Sequence, residues 1–250
     1  HPPMGTLREV FGPAGDRASA VAALLYQYEI DREFPDAVML EAKAAPQSVE
    51  ESAVAGRLDL RDRVMITIDG ASSKDLDDAV SLERDGLGRW VLGVHIADVS
   101  HYVRPGSALD LEAWERGTSV YFADQVVPML PRELSNGICS LNPRVDRLAL
   151  SCVMTLTPEG EVVDHTIAKS VIRTTERMTY EDCNALLAHS DPALAERYAK
   201  ILPMLEDMAA LSRVLEGRRR RRGALELDTR ESYVVCDESG TPVDVVLRTP

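Results

Sequence analysis

Four aspartates fall within ten residues in the run Asp69-Gly-Ala-Ser-Ser-Lys-Asp75-Leu-Asp77-Asp78. Carboxylates this close repel one another, and the remedies are exposure to water, uptake of protons, arginine partners or bound cations. A solvated acidic turn is the simple alternative, and a stretch with one Gly and two Ser suits it. Against that, Leu76 interrupts the aspartates and Ala79-Val80 follows them, so the acidic stretch is expected to lie against the core. Carboxylates held in that way favour hard, oxygen-preferring cations such as Mg²⁺ or Mn²⁺. An EF-hand does not fit, because counting from Asp75 no Gly stands at the sixth position and no Glu at the twelfth. Two divalent ions about 4 Å apart, one activating a water and the other steadying the leaving oxygen, would support in-line attack on phosphorus. Phosphodiester hydrolysis is the leading reaction class.

Other chemistry-bearing residues give weaker signals. His95, Asp98 and His101 suggest a metal trio, but a strand alternates its faces and the six-residue gap does not oblige the histidines to converge, so packing is the preferred reading. The run Arg218 to Arg222 is attractive for phosphate, yet a helix would spread it around its circumference, and contact with a nucleic-acid backbone stands level with a solvated helix end. No Ser-His-Asp order or P-loop stands out, which disfavours nucleophilic catalysis and a nucleotide cofactor. The cysteines Cys139, Cys152, Cys183 and Cys236 are widely spaced with no C-x-x-C pair, and are expected to be reduced thiols.

The elements that must position the acidic run are partly visible in the pattern. Arg63 to Ile68 and Arg89 to Ile96 are compact apolar runs of strand length. Leu148 to Thr157 and Glu161 to Ile172 are two more, joined by Pro158-Glu159-Gly160 as a hairpin turn. Leu134 to Pro143, with its Asn and Gly, reads as a tight loop. Thr6 to Phe11 reads as a short strand. Asp16 caps a helix whose apolar positions are Val21, Leu24, Leu25 and Tyr28. Asp191-Pro192 opens another helix that continues through Leu194, Tyr198, Ile201, Leu205, Met208 and Leu211, kinks at Pro203 and ends by Gly223. Residues 35 to about 57 are Ala- and Glu-rich and read as a linker. The fold class is α+β, a mixed α/β arrangement without strict βαβ alternation or internal repeats.

At 250 residues and 45% hydrophobic content the chain can bury a sizeable core. No apolar run approaches the roughly 18 residues of a membrane span and the start carries no signal-peptide pattern, so a cytoplasmic protein without a membrane partner is expected. The ends of the sequence read as those of a segment of something longer. With 28 Lys+Arg against 41 Asp+Glu, the net charge of −13 speaks against nucleic acid on average. Two divalent cations in the acidic run would contribute four positive charges and bring that figure to −9, so any affinity for nucleic acid would have to come from local arginines.

Several motifs in one order identify a resemblance. Asp69-Gly…Asp75-Leu-Asp77-Asp78-Ala-Val is followed by His95-Ile-Ala-Asp-Val-Ser-His-Tyr-Val103 and by Arg116-Gly-Thr-Ser-Val-Tyr-Phe122. Pro128-Met-Leu-Pro131 and Leu134-Ser-Asn-Gly-Ile-Cys-Ser-Leu-Asn-Pro143 complete the series. Together they resemble the catalytic RNB domain of the ribonuclease II and ribonuclease R exoribonucleases, with the Ser-Asn-Gly and Arg-Gly-Thr-Ser versions closer to the ribonuclease R branch. The resemblance covers roughly residues 5 to 250. It implies a mixed or antiparallel sheet flanked by helices, present as an incomplete segment. By the same resemblance, residues 1–14 are the end of a cold-shock (OB-fold) domain, 15–50 a helical linker and 51–250 the N-terminal part of the RNB domain.

The resemblance also implies processive, Mg²⁺-dependent 3′-to-5′ degradation of single-stranded RNA to nucleoside 5′-monophosphates. It places Asp69, Asp75, Asp77 and Asp78 around the metals, with Asp77 the most sensitive. It places Tyr121 near the scissile end of the RNA and Tyr180 at a second RNA-contacting position; without it, a core tyrosine in a strand would be the better reading of Tyr121. The resemblance puts Leu134 to Pro143 near the active channel. The family's helical half, with a further arginine, and an S1 domain would follow residue 250. Protein partners are not legible. Two other readings compete: an RNB-like module that binds RNA or protein without cutting, and a small-molecule phosphohydrolase using the same carboxylate chemistry in a closed pocket.

Overall fold

The computed structural model describes residues 4–123, 125–225, 232–238 and 240–247. The first three residues and 248–250, which bear on the reading of the two ends as those of a segment, lie outside the described residues. Helix α1 (Arg17–Gln27) starts where the Asp16 carboxylate accepts the Ser19 amide at 2.8 Å and its hydroxyl at 2.7 Å. Val21 and Leu25 turn inward, but Leu24 and Tyr28 are exposed, because the surface α1 covers, centred on Val127, is narrow. Thr6 to Phe11 forms no strand: residues 4–10 are exposed and no neighbouring strand completes their ladder.

Helices α2 (Asp36–Ala44) and α3 (Glu51–Val54) lead into strands β1 (Leu58–Asp59), β2 (Ile66–Asp69), β3 (Asp78–Arg84) and β4 (Trp90–Ala97). Helix α4 (Ala108–Arg116) and the short ribbon β5 (Val120–Tyr121) and β6 (Val126–Val127) follow. The hairpin β7 (Asp146–Leu156) and β8 (Val162–Arg173) comes next, then β9 (Glu176–Thr179), α5 (Tyr180–Leu187), α6 (Pro192–Arg197), α7 (Leu202–Arg221) and the ribbon β10 (Ser232–Cys236) and β11 (Pro242–Leu247). Seven strands form one sheet in the order β1-β8-β7-β4-β3-β2-β9. Its edges are parallel pairs, β1 with β8 and β2 with β9, and the middle is antiparallel, so the sheet is mixed and helix-flanked as expected for α+β.

Register divides the sheet into two cores. Leu82, Leu92 and Met154 stand side by side across β3, β4 and β7 and pack with Met204, Met208 and Leu211 of α7. On the opposite face Ala79, Ala97 and Ala149 pack with Met65, Leu141, Ile172 and Leu76. Leu76, only 1% exposed, is the residue that interrupts the aspartates, so the acidic stretch is pinned to the core as its sequence implies. The helix expected from Pro192 onward is two helices. The chain breaks at Tyr198–Ile201, and Pro203 lies in the first turn of α7, where a missing amide costs no helical bond.

The β7–β8 turn closes through the Gly160 amide on the Thr157 carbonyl, with Gly160 at φ +79°. A Cβ there would stand 3.0 Å from Val214 Cγ1 and 3.1 Å from Leu215 Cδ2, on α7. Gly160→Ala is expected to lower the stability to denaturant by about 1–2 kcal/mol through the left-handed backbone alone. An unchanged unfolding midpoint would show that the turn accommodates a side chain at residue 160 without the left-handed penalty.

Candidate active site

The acidic run spans the gap between two antiparallel strands. Asp69 is the last residue of β2 and Asp78 the first of β3, so residues 70–77 leave the sheet and return at the same end. Backbone hydrogen bonds fix the returning part: the Ala97 amide donates to the Asp77 carbonyl at 2.9 Å and the Leu141 amide to the Leu76 carbonyl at 2.8 Å. The outgoing part is held from β9, where Arg177 Nη2 donates to the carbonyls of Gly70, Ala71 and Ser73 at 3.2, 2.9 and 2.8 Å.

The side chains behave as an uncompensated cluster. Burial and then the neighbouring Asp78 push the Asp69 carboxyl above its ordinary pKa, and the Arg177 charge only partly offsets them. Asp77 is likewise raised by burial and by the charges of Asp75, Asp78 and Asp69. Asp69 Oδ2 is buried with no hydrogen-bond partner, a position that costs free energy unless something positive reaches it. The donors are all carboxylate oxygens, so their chemistry fits a hard divalent cation. Among the described residues no three His, Cys, Asp or Glu side chains stand closely enough together to enclose an ion.

Two tyrosines flank the cluster. Tyr121, on β5, is 67% exposed, which removes the core-tyrosine alternative. It shares a cleft of about 540 Å³ with Asp75, Lys74, Ser119, Arg132 and Asn136. Burial and then the Asp75 charge raise the pKa of its phenol. Tyr180 is 56% exposed and opens α5 directly after Thr179, the residue that pairs with Asp69 in the β2–β9 ladder. Thr179 Oγ1 accepts the Asp182 amide at 3.0 Å and so caps that helix. All six residues singled out from the sequence, Asp69, Asp75, Asp77, Asp78, Tyr121 and Tyr180, thus stand on or beside the loop end of β2 and β3.

The His95, Asp98 and His101 trio does not converge. His95 is fully buried between Ser81 Oγ at 3.0 Å and Ser151 Oγ at 2.7 Å. Asp98 forms a buried ion pair with Arg57 at 2.7 Å, and His101 Nδ1 lies 3.4 Å from the same guanidinium. The arginine run lies elsewhere again. Arg218 bonds the Glu159 carbonyl in the β7–β8 turn, at the Trp90 end of the sheet, whereas Asp78 sits at the Ile96 end. Six residues of strand separate the two ends, about 20 Å. Arg220 pairs with Glu216. All four cysteines are free.

Leu134 to Pro143 is more than a turn. Glu133–Ile138 forms a helical turn, broken at Gly137, that buries Leu134 and Ile138 against α2 and α4 and leaves Asn136 on the Tyr121 cleft. Lys74, Arg132, Asn136 and Arg177 surround the cluster although nothing in the sequence singled them out. Lys74 and Asn136 had a signal, since each lies inside a quoted motif.

A mixed sheet carrying crowded aspartates on the β2–β3 loop, beside a cleft lined by Tyr121, defines a domain built around a carboxylate cluster. Residues 57–249 match the family described as the RNB domain, and the chain belongs to that family. Within it, similar proteins include several named ribonuclease R. The chain is 50% identical over 245 residues to ribonuclease R 1 of Lactococcus lactis, covering 98% of this chain and 30% of that protein. To ribonuclease R of Thermotoga maritima it is 43% identical over 249 residues, covering 98% of this chain and 35% of that protein. Its fold matches the structure of Mycoplasma genitalium RNase R in complex with ribose-methylated single-stranded RNA, with a TM-score of 0.88 and 30% identity over 97% of this chain and 37% of that one. The chain thus spans about a third of the length of these relatives.

Proposed function

We propose that this chain carries the acidic half of the catalytic centre of a processive 3′-to-5′ exoribonuclease that hydrolyses single-stranded RNA to nucleoside 5′-monophosphates in the cytoplasm. The observation that carries the reading is the crowded carboxylate cluster with its orphaned Asp69 Oδ2, one member of which, Asp75, lines the Tyr121 cleft. Asp69, Asp75, Asp77 and Asp78 would hold Mg²⁺, or Mn²⁺ in its place. When bound, such cations supply a polarised water as nucleophile and stabilise the leaving oxygen at phosphorus. The chain's own residues hold the RNA end. Tyr121 stacks on a base or donates to a phosphate oxygen, Tyr180 offers a second stacking face, and the cationic Lys74 and Arg132 offset phosphate charge in the cleft. We propose the domain division 1–14, 15–50 and 51–250 given above. Parts of the full-length protein beyond this sequence supply the bulk of the RNA affinity that a net charge of −13 does not.

The test is to incubate the full-length protein with 5′-labelled single-stranded RNA and Mg²⁺. Stepwise shortening from the 3′ end that stops on chelation is expected. RNA binding without shortening would point to the non-cutting module, and cleavage of a small phosphodiester but not of RNA to the small-molecule enzyme. Metal addition has its own signature: at 100 times its dissociation constant, a cation bound only by the folded state adds about 2.7 kcal/mol of stability, so the melting temperature should rise with Mn²⁺ and fall back with chelator. Tyr121→Ala is expected to lower kcat/KM about ten-fold, the worth of one stacked base, and to lengthen the final product. Its melting temperature should hardly change, because the side chain is largely in solvent. A lowered melting temperature with an unchanged product ladder would reverse that assignment.

A further inference from the structure

The acidic loop is held by a residue outside it that neither carries charge nor reaches the cleft. Ser140 is fully buried, and its hydroxyl makes two hydrogen bonds across more than 60 residues of sequence. It donates to the Lys74 carbonyl at 3.0 Å and accepts the Leu76 amide at 3.0 Å. These groups bracket Asp75, so the one hydroxyl fixes the peptide planes on both sides of that aspartate. The next residue, Leu141, donates its amide to the Leu76 carbonyl at 2.8 Å, so consecutive residues of one segment clamp the strip that ends in Asp77.

The clamp is itself anchored. Arg147 is 8% exposed, and among the described residues no carboxylate is paired with it. Its guanidinium is spent on backbone carbonyls: Nε on Ser140 at 2.8 Å, Nη1 on Asp146 at 2.9 Å and Nη2 on Gly137 at 3.2 Å. A buried cation bonded only to carbonyls is a costly way to fix a chain, and what it fixes here is the Gly137–Ser140 turn. Leu76 and Leu141, both buried in the same apolar cluster, close the gap from the other side.

Resting on the function proposed above, we infer that Ser140 is a positioning residue: it orients Asp75 and Asp77 through the backbone of residues 74–77, and Arg147 holds Ser140 in place. The backbone that carries these carboxylates is thereby held by a neutral hydroxyl that repels neither them nor an incoming ion.

The test compares full-length wild type with Ser140→Ala and, as a control for the loss of a buried hydroxyl elsewhere in the sheet, Ser151→Ala. Three quantities are read: the Mn²⁺ dissociation constant by electron paramagnetic resonance, hydrogen exchange of residues 74–77 without metal, and kcat and KM on single-stranded RNA. For Ser140→Ala, weaker Mn²⁺ binding by about ten-fold, as for lost outer-shell support, is expected, with faster exchange at Leu76. A kcat loss of about ten- to a hundred-fold, larger than the change in KM, should accompany it, because the carboxylates shift while Tyr121 and Arg132, which line the same cleft, keep their places. Ser151→Ala should lower the melting temperature yet leave all three readings alone. If Ser140→Ala does not fold, Ser140→Cys, with a weaker donor on the same stem, should show the same changes at smaller size. Unchanged Mn²⁺ affinity and kcat in a folded Ser140 variant, or equal changes in Ser151→Ala, would overturn the inference while the function stands. A wild type that binds Mn²⁺ but leaves RNA intact, with weaker binding in Ser140→Ala, would overturn the function and keep the clamp. A wild type that binds no Mn²⁺ overturns both.

Discussion

Asp77→Asn in the full-length protein should reduce RNA hydrolysis by about 10³-fold or more while leaving the fold at least as stable as wild type. The two halves of that expectation come from the same geometry. Asp77 is raised by burial and by all three other aspartates, which places it centrally in the charge distribution of the loop. Its carbonyl is bound by the Ala97 amide, so its backbone is fixed and the amide side chain of asparagine takes the same place without the charge. In the metal-free protein the substitution removes repulsion, and the melting temperature should stay level or rise. With Mn²⁺ present the order should reverse, because the wild type gains binding energy that the variant lacks. A structural role alone predicts the opposite pattern, a fall in melting temperature in both conditions with turnover following the folded fraction. Undiminished shortening of labelled RNA by the variant would remove Asp77 from the chemistry.

The acidic run could be read from the chain because its members are neighbours in sequence, and repulsion among neighbours needs no fold to be noticed. Strands β2, β4, β7 and β8 were legible for a similar reason: each is apolar enough to announce itself, and Asp16 and Asp191 cap their helices by contacts within three residues. Other elements owe their structure to partners. Strand β9 is Glu-Arg-Met-Thr, with one apolar residue in four, and exists because β2 supplies a parallel ladder from Ile66 to Asp69. Strand β3 begins with an aspartate and ends with Glu83 and Arg84, and its burial follows from lying between β2 and β4. The break before α7 was misplaced because Pro203 reads locally as a kink, although proline in a first turn is harmless. Within the site, Arg177 and Ser140 reach the loop from more than 60 residues away. Their types, an arginine in a polar strand and a serine between apolar residues, carry no mark of that task.

His95 ties the same sheet to pH. The imidazole is fully buried, with Ser81 on Nε2 and Ser151 on Nδ1, and Ser151 passes the chain on to Ser170 at 2.6 Å. Burial, and then the positive charge of Arg63, push its pKa down to about 4. In the unfolded chain the group returns to about 6.5, so the unfolded state takes up the proton first. His95 therefore costs no stability above about pH 6.5, and its contribution falls as pH drops toward 4, where the loss levels off at about 3 kcal/mol. Other groups titrate over the same range with different signs. The raised Asp69 and Asp77 favour the folded state as they take up protons, while Asp98, where the Arg57 and Ser100 hydrogen bonds override burial, loses stability only as pH falls below the ordinary carboxylate range. Subtracting the stability curve of His95→Gln from that of wild type cancels those shared contributions. The difference should be flat above pH 7 and narrow by about 3 kcal/mol between pH 6.5 and 4. The imidazole of the folded wild type should titrate near 4 by NMR. Parallel curves, or an imidazole that titrates near 6.5 in the folded protein, would mean that water reaches the serine pair and that this end of β4 is looser than its packing implies.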